Sequence, residues 1–273
     1  MGEAGLSRLS GGRYGAARLG IILVGAFWLA GCSVIDGFIF FPDRRAGAPP
    51  PGVEERFITT SDGRRLHAWY APGTAAGPTL IWSHCNAGNI DMRRDLLLAL
   101  ARRGLRVLAY DYRGYGKSDG SPSETGVYLD AEAAFDSEVA RGTDPRTIVC
   151  FGESLGGAVS IDLATRRACG GVAVVSTFTT MADVARRHYG PLGALAGRRF
   201  DSLARIGRVS VPLFVAHGDR DEIVPFELGE ALFAAAPGPK RFHRIPGARH
   251  NDALGYGTLL DAVAVFSREA IAR

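Results

Sequence analysis

The feature that most constrains this chain is the hexapeptide Gly152-Glu153-Ser154-Leu155-Gly156-Gly157. Before it, Thr147-Ile148-Val149-Cys150-Phe151 is a short unbroken apolar run, the pattern of a buried strand. After it, Gly157 to Ala164 reads as the first turns of a helix packed on a sheet. A serine on a sharp strand-to-helix turn, with glycine at both second neighbours, is a nucleophile elbow. The turn is strained and the helix must pack close to the strand, so the flanking positions have to be small. Ser154 would then present its hydroxyl at the top of a sheet, with the Leu155 amide aimed at the atom it attacks. The pattern alone is equally compatible with a glycine-rich turn holding an incidental serine. The rest of the chain has to decide.

Strand and helix patterns alternate around the elbow. Arg56 to Thr60 and Leu66 to Tyr70 flank Asp62-Gly63, a hairpin signal. Apolar runs at Thr79–Ser83, Leu105–Tyr110, Gly171–Ser176, Pro212–His217 and Arg241–Ile245 predict further strands. Helices are expected from Asp91 to Arg103, from a Ser121-Pro122-Ser123-Glu124 capping box toward Arg141, and from about Gly257 to Ile271. This alternation predicts an α/β fold: a mostly parallel sheet, helices on both faces and an antiparallel hairpin at one edge. No internal repeat or second core is visible, so residues 55–273 are expected to form one domain.

In such sheets the chemistry gathers in loops at the carboxyl ends of strands. A serine hydroxyl needs a base to take its proton and an acid to orient that base. The loop after Pro212–His217 holds Asp219, Asp221 and Glu222; the loop after Arg241–Ile245 holds His250. The order Ser154, Asp221, His250 assigns nucleophile, acid and base, with Asp219 as the rival acid. His67 and His243 fall inside strands, His188 in a variable segment, and His84 and His217 at strand ends. An oxyanion hole needs two amides, for which the candidates are Leu155 and Asn86 in the loop after Thr79–Ser83.

The amino terminus reads as an address. A polar, lightly basic stretch leads into an apolar block, Leu19 to Ala30, too short to span a bilayer comfortably. It ends in Leu29-Ala30-Gly31-Cys32, which resembles the lipobox of bacterial lipoproteins. That resemblance implies a signal peptide over 1–31, acylation of Cys32, and a chain tethered to the cell envelope facing the periplasm. Ser33 in place of aspartate favours the outer membrane. The alternative is an uncleaved anchor, because apolar character resumes at Val34-Ile35 and Phe38 to Phe41. Residues 32–54, with the proline-rich stretch 43–53, are expected to be an extended tether. The formal charge of +4 includes Arg8, Arg13 and Arg18 against Glu3 before residue 32, and the remaining basic residues are scattered. Nucleic-acid binding is therefore not expected. An odd number of cysteines beyond Cys32 argues against a disulfide framework, and no cysteine–histidine cluster has metal-ligand spacing. No cofactor or metal is implied.

From about Glu55 onward the chain resembles the α/β-hydrolase superfamily, in particular its membrane-associated, serine aminopeptidase-like or lysophospholipase-like branch. The resemblance rests on His84-Cys85-Asn86-Ala87-Gly88-Asn89, Asp111-Tyr112-Arg113-Gly114-Tyr115-Gly116, Gly120 to Glu124, the elbow, Asp221 to Pro225 and the His250 loop. It implies a serine hydrolase cleaving carboxylic esters or thioesters through an acyl-enzyme, on a small acyl ester or lipid-derived substrate. A peptidase or acyltransferase using the same site, and a tethered binding protein with a decayed site, are the alternatives. Cys85 departs from the family's glycine; if that position needs positive φ, the oxyanion loop is strained and a glycine would raise activity. A short cap is expected between Ser176 and Pro212. There Phe178, Met181, Tyr189, Leu192 and Leu195 either line an acyl pocket or are plain core.

Overall fold

The apolar runs become strands because both of their faces are covered. In the computed structural model, which describes residues 36–272, the strands in chain order begin with the two-residue β1 (Phe41–Pro42). The hairpin β2 (Glu54–Thr59) and β3 (Arg65–Ala71) follows, then β4 (Thr79–Ser83) and the short β5 (Ala87–Gly88). The others are β6 (Arg106–Tyr110), β7 (Ile148–Glu153), β8 (Gly171–Val175), β9 (Leu213–Gly218) and β10 (Lys240–Ile245). Eight of them form one sheet in the order β10-β9-β8-β7-β4-β6-β3-β2. Neighbours from β10 to β6 are parallel; β3 and β2 join antiparallel. Every residue of β4 and β8 is buried, as parallel strands between two helical layers require.

The helices are α1 (Arg94–Arg102), α2 (Glu124–Ala140), α3 (Leu155–Arg166), α4 (Met181–Tyr189), α5 (Ser202–Ile206), α6 (Phe226–Ala235) and α7 (Gly257–Ile271). One layer, α1 and α7, packs on one face of the sheet; α2 and α3, backed by α5 and α6, form the other layer. Under α1 and α7 the Trp82 and Phe151 rings lie 5.6 Å apart, and Phe214 and Phe266 5.4 Å. Burying an aromatic side chain of this kind stabilises the fold by roughly 2–3 kcal/mol.

Two local expectations change. The cap of α2 is Ser123, whose hydroxyl accepts from the Gly126 amide, so Pro122 stays outside the helix. Glu124 does not close a capping box with Ser121; its carboxylate accepts from the Phe200 amide and the Tyr128 hydroxyl. The tether also differs. Strand β1 pairs parallel with β5, the Gly47 amide donates to Asp91, and the Asn89 amide group donates to the carbonyls of Asp43 and Arg45. Asn89 thereby satisfies two carbonyls at the start of this segment, and the Gly47 amide finds its acceptor in Asp91. The compact unit therefore begins at Phe40 rather than Glu55. The signal-peptide reading of 1–31 and the acylation reading of Cys32 fall outside the described residues. Among the described residues no helix is long and apolar enough to cross a membrane.

Candidate active site

Ser154 sits between β7 and α3 with φ 53° and ψ −116°, a backbone conformation that costs about 1–3 kcal/mol for a non-glycine residue. The surroundings hold it there: the Ser154 amide donates to the Val175 carbonyl, and the Thr177 hydroxyl donates to the Ser154 carbonyl. The flanking glycines have a direct steric cause. A Cβ at Gly152 would collide with the Gly156 carbonyl, and one at Gly156 with the Ser83 carbonyl on neighbouring β4.

The loops after β9 and β10 bring the expected partners to the serine. His250 Nε2 lies 3.0 Å from Ser154 Oγ, and its Nδ1 lies 2.8 Å from Asp221 Oδ2. Because a carboxylate oxygen accepts, the Nδ1 carries the proton and Nε2 is left as the acceptor facing the hydroxyl. Asp221 is itself held from the other side, since its Oδ1 accepts from the amides of Ile223 (3.0 Å) and Val224 (2.7 Å). Buried His217 approaches the same carboxylate, its Nε2 3.3 Å from Oδ2 and 3.0 Å from the Val224 carbonyl. Burial works against ionisation of Asp221, but hydrogen bonds from His217 and His250 and the Val224 amide hold its pKa well below the usual carboxylate range. The rival Asp219 does a different job: it accepts from the Gly247 amide and pairs with Arg244, tying the two loops together.

The oxyanion donors are set by their peptide planes. Leu155 is the first residue of α3, where an amide has no intrahelical acceptor. His84, buried against the Tyr112 and Tyr115 rings, directs Nδ1 at the Cys85 carbonyl 2.6 Å away. A trans peptide points its N–H opposite its C=O, so anchoring the Cys85 carbonyl aims the Asn86 amide away from His84. The next peptide is held too, because the Asn86 carbonyl accepts from the Tyr115 hydroxyl (2.6 Å) and the Phe41 amide (2.9 Å). Arg93 braces the same loop, donating to the carbonyls of Ala87 and Asn89 and pairing with Glu153 beside the nucleophile.

Cys85 does not have positive φ; among the described non-glycine residues only Ser154, Ser176 and Phe200 do. The oxyanion loop carries no strain at this position, so the expected gain from glycine loses its basis. Burial and the nearby Glu153 carboxylate push the Cys85 thiol's pKa up, and its sulfur packs on the Arg93 guanidinium. A Cys85→Gly variant is expected to show no rise in ester turnover and to lose about 0.5–1 kcal/mol of stability, readable in urea melts, because glycine frees the unfolded backbone.

Ser154 and His250 open onto a cleft of about 360 Å³ whose apolar walls are Phe41, Phe178, Met181, Val184, Ile223 and Val224. Two of the five cap residues named from the sequence, Phe178 and Met181, do line it. Tyr189, Leu192 and Leu195 do not; they stand exposed on the outside of the cap. Phe41, Arg93, Tyr115 and His217 are the site residues that motif spacing missed. Tyr115 lies within a stretch already singled out, but nothing in the spacing marks Phe41 or Arg93.

Two buried groups make the fold acid-sensitive in separate windows. Burial holds the His84 pKa well below the ordinary imidazole value, so the unfolded chain binds a proton that the native one refuses. Stability should therefore begin to fall as pH drops below about 6.5. The depressed pKa of Asp221 adds stability that is present above about 3.9 and is lost as pH falls further. Urea midpoints measured from neutral to acid pH should fall in both windows, and His84→Gln should flatten only the upper one.

A serine, a carboxylate and an imidazole in that chain order, above the carboxyl ends of a mostly parallel sheet, define the architecture of an α/β-hydrolase. The chain belongs to that superfamily. The family model for the alpha/beta hydrolase fold matches residues 78–192. An uncharacterized protein of Mycobacterium tuberculosis is 41% identical over 85% of this chain and 86% of its own. The uncharacterized protein YfhR of Escherichia coli is 35% identical over 81% of each. Among solved structures, a Pyrococcus furiosus esterase superposes with a TM-score of 0.70 at 20% identity, covering 85% of this chain and 98% of its own. An α/β-hydrolase from Vibrio vulnificus gives 0.69 at 22% identity over 79% and 81%. At those identities the structural likeness speaks to the fold.

Proposed function

We propose that this protein is a serine hydrolase that cleaves carboxylic esters or thioesters through an acyl-enzyme. The observation that carries the reading is the unbroken relay from Ser154 Oγ through His250 to Asp221, opening on an apolar cleft. His250 takes the hydroxyl proton as Oγ bonds to the carbonyl carbon, and the amides of Leu155 and Asn86 stabilise the oxyanion. Collapse of this intermediate expels the alkoxide or thiolate, which receives the proton from His250. Water, deprotonated by the same imidazole, then attacks the acyl carbon and releases the acid and free serine. The apolar cleft walls suit an acyl chain, and the description of the P. furiosus relative as an esterase agrees with this chemistry.

The lipobox-like Leu29-Ala30-Gly31-Cys32 supports a lipid-anchored protein of the bacterial cell envelope facing the periplasm, belonging to the membrane-associated branch of the superfamily. A panel of p-nitrophenyl esters, acyl thioesters, aminoacyl anilides and lysophospholipids tests the reaction class on the full chain. Turnover confined to the anilides would replace the esterase reading with a peptidase. Mass spectrometry of the amino terminus tests the anchor: cleavage before Cys32 with an added diacylglycerol supports it, and an intact terminus overturns it.

A further inference from the structure

We infer that His217 is a positioning residue of the relay: it shares the Asp221 carboxylate with His250 and so limits how firmly that carboxylate holds a proton on His250. The inference deepens the serine-hydrolase reading above and rests on it. His217 lies near the end of β9, fully buried. Its Nε2 has two neighbours and both are acceptors, the Val224 carbonyl at 3.0 Å and Asp221 Oδ2 at 3.3 Å. Nε2 therefore carries the proton and directs it between those two oxygens. At the opposite side of the ring, Nδ1 has no hydrogen-bond partner among the described residues. The backbone of α6 closes that side, because a Cβ at Gly229 would collide with Nδ1. The Phe226 ring meets the imidazole edge to face, with centroids 5.7 Å apart. A ring wedged in this way presents one donor in one direction.

The oxygen that this donor approaches is the one His250 uses. Asp221 Oδ1 is occupied by the Ile223 and Val224 amides, while His250 Nδ1 stands 2.8 Å from Oδ2. Two imidazole N–H groups thus converge on one carboxylate oxygen. A second donor stabilises the carboxylate on its own account and leaves it less attraction for the His250 imidazolium. The other charged or titratable groups of the surrounding elements are engaged elsewhere or face solvent. Asp219 holds the Gly247 amide and Arg244, the Glu222 carboxylate faces the His250 amide at 3.5 Å, and His188 bonds the Ile223 carbonyl. Asp252 accepts from the Arg249 amide, and Arg220, Glu227, Glu230 and Arg249 are exposed. The same His217 N–H holds the Val224 carbonyl while the Val224 amide holds Oδ1, so the ring fastens both ends of the turn that carries the acid. An imidazole paired too firmly stays protonated at neutral pH and cannot receive the serine proton; sharing the carboxylate counters that.

The rate at which a fluorophosphonate labels Ser154 reads the serine–histidine pair without any substrate, and on the full chain it is measured against pH. His217→Phe keeps a planar ring in the same space and removes the donor. The acidic limb of its labelling profile is expected to move to higher pH by about half a unit or more, because the undivided carboxylate keeps His250 protonated further up the scale. His217→Gln supplies an amide N–H and should bring the limb back toward wild type. A ring that served packing alone would alter the plateau rate and leave the limb in place. A His217→Phe limb that stays put or moves down, or a His217→Gln limb displaced as far as that of His217→Phe, overturns the inference. The wild-type chain gives a second test that depends on no variant folding: nitrogen–proton correlation spectra of its histidine rings should show His217 protonated on Nε2, and a proton on Nδ1 overturns the inference. Labelled wild type with an unmoved limb leaves the hydrolase reading standing, whereas wild type that resists labelling removes that reading itself.

Discussion

Replacing Ser154 with alanine is expected to lower turnover of a soluble ester by about 10⁴-fold or more, and to abolish covalent labelling by a fluorophosphonate. The effect is large because, among the described residues, Ser154 is the hydroxyl paired with His250, whose Nε2 faces its Oγ at 3.0 Å. The substitution removes one oxygen and keeps the same backbone demands at φ 53°, so thermal stability should stay close to wild type. Unimpaired turnover by the folded variant would sink the acyl-enzyme mechanism, and labelling that persists would place the nucleophile elsewhere.

Asp221→Asn is expected to have a comparable effect by a different route. Two backbone amides, from Ile223 and Val224, converge on Oδ1 of Asp221. The asparagine must turn its oxygen to those donors, since its NH₂ group there would leave three donors facing one another. That choice places the NH₂ where Oδ2 now sits, facing His250 Nδ1. The imidazole then accepts at Nδ1 and carries its proton on Nε2, the tautomer that cannot receive the serine proton. A loss of about 10⁴ in kcat with little change in KM follows. Asp219→Asn, which touches the Gly247 amide and Arg244 rather than His250, should cost little activity. A reversed ranking of these two variants would move the acid to Asp219.

Much of the fold was legible because it is written in short-range patterns. The buried strands are continuous apolar runs, the elbow glycines answer to local collisions, and the three catalytic candidates fall in loops after strands. What stayed hidden depends on contacts between distant segments. The proline-rich stretch reads as a spacer by composition, yet Asn89 and β5 capture it. Arg93 looks like one more solvated arginine on an amphipathic helix until its guanidinium is found between Cys85, Ala87, Asn89 and Glu153. Helix α6, with the sequence FELGEALFAA, was not anticipated at all: it has no side-chain cap, and its apolar residues do not form one stripe. Tyr189, Leu192 and Leu195 read like core in one dimension because hydrophobicity does not say which side of a cap a residue takes.

The pairing of Phe41 with the Asn86 carbonyl has a practical corollary for anyone making this protein. A shortened version starting at Glu55, the boundary that composition suggests, would discard β1 and with it the Phe41 amide that donates to the Asn86 carbonyl beside the Tyr115 hydroxyl. Such a fragment could retain its whole main sheet and still be a poor catalyst, and its silence in an assay would be mistaken for the wrong substrate. Expression boundaries and purification tags belong upstream of Phe40.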